Sequence, residues 1–88
     1  MENKVDYAQM FWSFIQNYRR LNYGEYPAIL FIHPELKYEA VRSMGVEEFY
    51  SVFGNIVNGT EKIFGICLVD NTRCVKDRLM TLDEFIAL

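Results

Sequence analysis

The residue types best suited to catalysis or metal binding are one histidine and two cysteines. His33 is the only histidine among the 88 residues, and a catalytic triad would need a nucleophile and a carboxylate placed around it. Glu35 and Cys67 are the only conceivable partners along the chain. Because His33 stands directly before Pro34, which suits the first position of a helix, we interpret it as a polar strand end that caps this helix.

The two cysteines, Cys67 and Cys74, are separated by six residues. A structural zinc site takes four protein ligands and a catalytic one takes three, so two thiols and one distant histidine are a weak metal signal. If Asp70-Asn71 is a two-residue turn, Cys67 faces Cys74 across the hairpin, with Cβ atoms about 4.5–5.5 Å apart. We interpret the pair as neighbouring reduced thiols, and the alternative is a thiol redox or metal switch.

No other arrangement of residues matches a catalytic motif. The acidic pairs at 47–48 and 83–84 consist of adjacent residues, which point to different faces of a helix, so neither pair makes a two-carboxylate site. The glycine-bounded segment 54–59 lacks the Lys-Ser/Thr of a phosphate-binding loop. We therefore predict that the protein is not an enzyme and needs no cofactor.

The charge balance does not favour a nucleic-acid partner. Arg19 and Arg20 stand beside Tyr18 and Tyr23, an arrangement that can stack a nucleic-acid base. The formal net charge is −3, however, which opposes binding to a polyanion. We interpret this cluster as a solvated rim at a helix end and expect no nucleic-acid partner.

The length and composition are those of one small globular domain, which we expect to span residues 1–88. The chain is 51% hydrophobic and 24% charged, the ordinary mixture for a globular protein. It has no apolar stretch near the roughly 18 residues of a membrane span, and its start has no basic segment followed by an apolar core. We therefore predict a cytoplasmic protein with no membrane partner.

Hydrophobic periodicity and turn signals predict four helices and four strands. The predicted helices cover residues 5–21, 34–44, 46–53 and 82–88. The predicted strands lie near 28–32, 61–69, 72–75 and 78–80, and Asn58-Gly59 is typical of a type I′ turn. Thr81 and Glu84 have the spacing of a capping box. Because helices and strands do not alternate, we predict an α+β fold with a small, mostly antiparallel sheet packed against the long first helix.

The aromatic content points to association with another protein. The chain holds 7 Phe, 6 Tyr and 1 Trp, and a chain of this size buries only about 60–65% of its unfolded surface. The predicted first helix also has an apolar arc too wide for an ordinary surface helix. We predict binding to a protein partner or to itself as a homo-oligomer, and the alternative is that these residues complete the core. The predicted interaction residues are Tyr7, Met10, Phe14 and Tyr18.

Three short patterns together resemble a known protein family. An apolar strand ends in His-Pro at 28–34, a strand with an aromatic-Gly-Ile pattern ends in Asp at 63–70, and a return strand lies at 78–82. Through them, residues 27–82 resemble the peripheral-domain region of tailed-bacteriophage major capsid proteins. The chain has Cys67 where that family usually has proline, and it is too short for the arm, spine helix and axial domain of a capsid subunit.

The resemblance implies a small, non-catalytic phage or prophage protein that acts by protein–protein association. A reduced capsid-like assembly module is one such protein, and its location would be the host-cell cytoplasm. One alternative is a small inhibitor or regulator that binds a host protein. The other is the thiol switch that uses Cys67 and Cys74.

Overall fold

The computed structural model describes residues 5–54 and 61–88. Within these ranges the chain forms four helices and a four-stranded sheet, which confirms the predicted α+β class. The helices are α1 (Tyr7–Leu21), α2 (Pro34–Ser43), α3 (Val46–Phe53) and α4 (Leu82–Ile86). The strands are β1 (Ile29–Ile32), β2 (Lys62–Ile63), β3 (Ile66–Asp70) and β4 (Met80–Thr81). The turn predicted at Asn58-Gly59 lies outside the described residues.

Two of the helices have the N-terminal capping residues that the sequence predicts. The Nδ1 atom of His33 accepts a hydrogen bond of 3.0 Å from the Glu35 N–H, so this buried histidine caps α2 as predicted. Thr81 and Glu84 form the predicted capping box at the start of α4. Asp6 caps α1 in a similar way, so this helix begins at residue 7 rather than at residue 5. None of the helices in the described ranges has the length and apolar character needed to cross a bilayer.

The sheet has the strand order β2-β3-β1-β4 and is mixed. β1 runs parallel to β3, whereas the two outer pairings, β2 with β3 and β1 with β4, are antiparallel. A parallel pair needs a crossover connection. Here α2, α3 and β2 lie between β1 and β3 in the sequence, so the parallel pairing follows from the two helices inserted between the strands.

The single strand predicted near 61–69 is two strands joined by a tight turn. Phe64 and Gly65 have φ values of 48° and 82°. Ile63 and Ile66 pair across the turn as the last and first residues of β2 and β3. Positive φ at both central residues is the requirement of a type I′ hairpin. The sequence did not predict this turn, because the apolar run is unbroken there and Phe is unusual at the first central position of a type I′ turn.

The strand predicted at 72–75 is wrong, because this segment is a loop. The Oδ1 atom of Asn71 accepts a 2.9 Å hydrogen bond from the Arg73 N–H, and the Asn71 carbonyl accepts one of 3.2 Å from the Cys74 N–H. These bonds turn the chain away from β3 instead of returning it alongside. The strand predicted near 78–80 forms as β4, but it pairs with β1 on the far side of the sheet.

Each face of the sheet has its own apolar cluster. The larger cluster joins the sheet to the first three helices, and its buried residues are Phe11, Ile15, Leu30, Ile32, Leu36, Ala40, Val52, Phe53, Ile63, Ile66, Leu68 and Leu79. The smaller cluster, on the opposite face, contains Phe31, Cys74 and Met80, with Phe85 packed against it. The rings of Phe31 and Phe85 are stacked with their centroids 4.3 Å apart, so α4 is attached to this face.

Candidate functional site

The four predicted interaction residues lie along one side of α1 and are partly buried. Tyr7, Met10 and Phe14 pack against the larger core cluster. Tyr18 lines an open cleft between α1 and α4, together with Phe14. These side chains therefore form the flank of the core, and their role in binding a partner stays a prediction.

α3 has a more exposed apolar face than α1 has. Val52 and Phe53 of α3 are buried, and the Phe53 ring lies edge-on to Phe11 with the centroids 6.3 Å apart. Val46 and Tyr50, one helical turn apart, are 72% and 53% exposed. α3 is therefore apolar on two sides, and only one side enters the core.

The outward side of α3 and the end of α2 enclose a shallow groove. We call this surface the apolar groove, and its lining residues are Val41, Met44, Gly45, Val46, Phe49 and Tyr50. The Phe49 and Tyr50 rings meet nearly edge-on, with their centroids 5.6 Å apart. Among the described residues of this lining, Tyr50 alone has a polar side-chain group, its hydroxyl. The groove therefore fits apolar side chains better than a polar small molecule.

The charges around the apolar groove are mainly negative. Glu47 and Glu48 are exposed in the first turn of α3, where the helix dipole favours carboxylates. Neither forms an ion pair with any residue in the described ranges. Asp6 lines a neighbouring cleft with Glu48, and Glu39 lies nearby, 3.7 Å from Arg42. We call this group of four carboxylates and Arg42 the acidic end.

The opposite end of α1 carries two arginines and two exposed tyrosines. Arg19 lies over the Tyr26 ring, 4.2 Å from its centroid, and its Nε donates a 2.9 Å hydrogen bond to the Gly24 carbonyl. Tyr23 has a φ of 57°, and its side chain is completely exposed. We call the set Arg19, Arg20, Leu21, Tyr23 and Tyr26 the basic end.

A lysine between two carboxylates joins α2 to the sheet. The Lys37 Nζ atom forms an ion pair with Glu61 and lies 3.4 Å from the Asp70 Oδ2 atom at the end of β3. The hydrogen bond from Lys37 lowers the pKa of Glu61. Burial raises the pKa of Asp70, although the same lysine opposes this change. Since the lysine charge is neutralised by its partners, this cluster connects structural elements and offers no free cation for chemistry.

The two thiols do not face each other across a hairpin. Cys67 pairs with Ile29 of β1 and Lys62 of β2, so the predicted register with Cys74 is wrong. Cys74 is buried in the loop after β3, and this burial raises the pKa of its thiol, with a smaller contribution from the Asp70 charge. A buried thiol in its protonated form is a poor nucleophile. The described residues contain no group of three His, Cys, Asp or Glu placed to hold a metal ion.

His33 is likewise engaged in structure. Its Nδ1 atom accepts the Glu35 backbone N–H, while the Glu35 side chain pairs with Lys76 at 3.1 Å. The histidine therefore supports the start of α2, and the Glu35 carboxylate is directed to another residue.

Comparison with known proteins found no similar protein that would suggest a role for these surfaces. The chain matches no protein-family model, no curated protein and no solved structure.

Proposed function

We propose that this protein acts by association with another protein and that the apolar groove is its binding surface. The observation that supports this proposal is the exposure of Val46 and Tyr50 side by side on a well-formed helix. Full burial of a large apolar side chain contributes about 1.5–3 kcal/mol. Because Val46 and Tyr50 are 72% and 53% exposed, covering what remains of both would contribute about 2–4 kcal/mol before the costs of association.

The chemistry of the lining also favours a protein partner. A small-molecule site generally combines apolar walls with a few convergent polar groups. The apolar groove offers one hydroxyl, that of Tyr50, and is rimmed by the exposed carboxylates of Glu47 and Glu48. An apolar centre with a charged rim is the usual arrangement of a protein interface.

Two parts of the proposal come from the sequence alone. An origin among phage capsid-like proteins, and a location in the cytoplasm, stay predictions. A host-protein inhibitor would use the same groove and would differ only in the identity of the partner. The thiol-switch alternative loses its support from cross-strand pairing, because Cys67 and Cys74 are not opposed.

The proposal is tested by immobilising the chain and measuring what it retains from an extract of the cells that encode it. The variants are Tyr50→Ser in the groove and Tyr38→Ser on α2, a matched control because Tyr38 is also exposed and lies outside the groove lining. We expect Tyr50→Ser to weaken the Kd of the purified retained protein at least about tenfold, equivalent to about 1.4 kcal/mol, and Tyr38→Ser to leave it unchanged.

Equal binding by both variants would contradict the assignment of the groove. So would a chain that stays monomeric at high concentration and retains no protein in a groove-dependent way.

A further inference from the structure

We propose that the partner in the apolar groove is a second copy of this chain, bound through its basic end. This inference rests on the function proposed above and names the partner of the same site. It is carried by three observations. They are the unpaired charges of opposite sign at the two ends, the separation of the ends along one helix, and the conformation of Tyr23.

The two ends carry exposed side chains of opposite charge that have no ion-pair partner among the described residues. The acidic end combines four carboxylates with one guanidinium, and Glu47 and Glu48 have no ion-pair partner among the described residues. At the basic end, Arg19 and Arg20 likewise form no ion pair among the described residues. The carboxylates at this end are Glu25 in the following loop and Asp83 and Glu84 across the adjacent cleft, where Glu84 is paired with Arg78. Complementary potentials of this kind select a partner and accelerate its encounter.

The ends cannot meet within one molecule. Asp6 caps the start of α1 at the acidic end, whereas Arg20 and Leu21 are in its last turn. A helix of 15 residues, rising about 1.5 Å per residue, holds them about 22 Å apart. Any contact between the two ends is therefore a contact between copies.

Tyr23 occupies a backbone position that usually takes glycine, and its side chain is not buried in the fold. It follows the end of α1 with a φ of 57°, at the position that is usually glycine, while the Gly24 N–H donates a 2.7 Å hydrogen bond to the Arg19 carbonyl. The left-handed conformation is unfavourable for a residue with a side chain. Despite this, a tyrosine stands there, fully exposed and making no aromatic contact among the described residues.

A fixed, protruding tyrosine is a suitable anchor for an apolar groove. Tyrosine buries a large area while losing little conformational entropy, and the Arg19 contacts with Gly24 and Tyr26 hold the loop that presents it. Leu21, also exposed, adds a second apolar contact next to it. With Tyr23 in the groove of the next copy, Arg20 would lie near Glu47 and Glu48.

The test is sedimentation velocity on full-length proteins over a concentration series, at low and high salt. The variants are Glu47→Lys with Glu48→Lys, Arg20→Glu, and the chain that combines all three changes. We expect the wild type to associate as concentration rises and to dissociate in salt. Each single-end variant should associate at least tenfold more weakly, whereas an equal mixture of the two, and the combined chain, should recover association. Lys62→Glu, the same type of charge change on β2, is the control and should behave as the wild type does.

The Tyr23→Gly variant distinguishes an effect on association from an effect on stability, because the two should change in opposite directions. Glycine suits the left-handed backbone, so this variant should unfold at a higher temperature than the wild type while associating at least tenfold more weakly. An unchanged association constant in Tyr23→Gly, or no recovery in the charge-swapped mixture, would overturn the inference. A strictly monomeric wild type that retains another protein through Tyr50 would overturn it as well and would leave the proposed function standing.

Discussion

The two carboxylates that share Lys37 should respond in opposite ways to removal of their charge. We predict that Glu61→Gln destabilises the protein and that Asp70→Asn leaves it unchanged or slightly more stable. The reason is that the pKa of Glu61 is lowered, chiefly by the hydrogen bond from Lys37, whereas the pKa of Asp70 is raised by burial. A carboxyl with a raised pKa is less favourable as an anion in the folded state than in the unfolded state.

The magnitudes follow from the geometry of the cluster. At 3.4 Å between Nζ and Oδ2, the gross attraction of Lys37 and Asp70 is about 5 kcal/mol with an effective dielectric constant near 20. The raised pKa of Asp70 shows that desolvation and the Glu61 charge outweigh this attraction. For such partly exposed groups we expect a loss of about 1 kcal/mol in Glu61→Gln and a gain of at most about 0.5 kcal/mol in Asp70→Asn.

The pH dependence of unfolding gives an independent check on the opposite stability changes predicted for the two variants. The ionised Glu61 side chain adds to the free energy of unfolding, and this stabilisation is complete above its ordinary pKa of 4.5. It disappears as the pH falls through the lower pKa that Glu61 has in the folded protein. The ionised Asp70 side chain lowers the free energy of unfolding above the raised pKa that it has in the folded protein. This destabilisation disappears as the pH falls towards 3.8, its ordinary pKa. Both variants should therefore approach the wild type in stability in acid.

The assay is urea unfolding of the three proteins at pH 7 and at a series of lower pH values, with midpoints compared at constant slope. A loss of 1 kcal/mol or more in Asp70→Asn at pH 7, equal to the loss in Glu61→Gln, would refute this interpretation of the cluster.

Three further changes test the contacts that hold α4 and the loop after β3. Thr81→Ala removes the capping box and should lower the free energy of unfolding by about 1 kcal/mol in urea; no change would mean that α4 does not depend on its cap. Phe85→Ala removes the ring stacked on Phe31 and should cost about 2 kcal/mol, less than a fully buried phenylalanine because Phe85 is half-buried. A thiol reagent at pH 8 should modify the partly exposed Cys67 first and buried Cys74 only as the protein opens, as followed by intact mass. Equal rates for the two thiols would contradict the burial of Cys74.

The helices were predictable because their signals are local. His33 and Pro34 mark the start of α2 within two residues, and Thr81 and Glu84 mark the start of α4 within four. The sheet depends on pairing between distant segments, and the predicted strands near 61–69 and at 72–75 were the ones that the structure corrects. The parallel partners of β1 lie far along the chain, and no pattern in residues 72–75 distinguishes a loop from a return strand.

The candidate site was only partly visible in the sequence. A helix over residues 46–53 was predictable from the sequence, but which of its apolar side chains face solvent depends on how α3 packs against Phe11. The contacts of Lys37 join residues 24 and 33 positions away, so no motif could reveal them. The sequence shows that the adjacent carboxylates at 47–48 do not make a two-carboxylate site, and only the fold shows that they lie beside an apolar groove.

The proposed contact between the apolar groove of one copy and the basic end of another is tested most directly by ¹H–¹⁵N NMR spectra of the wild type over a concentration series at low salt. We predict amide shifts that grow with concentration and are confined to two segments, 41–50 around the apolar groove and 19–26 at the basic end. The charge-reversed Arg20→Glu protein should show much smaller shifts in both segments. Spectra that do not change at either end up to millimolar concentration, or shifts centred on another surface, would contradict the proposed contact.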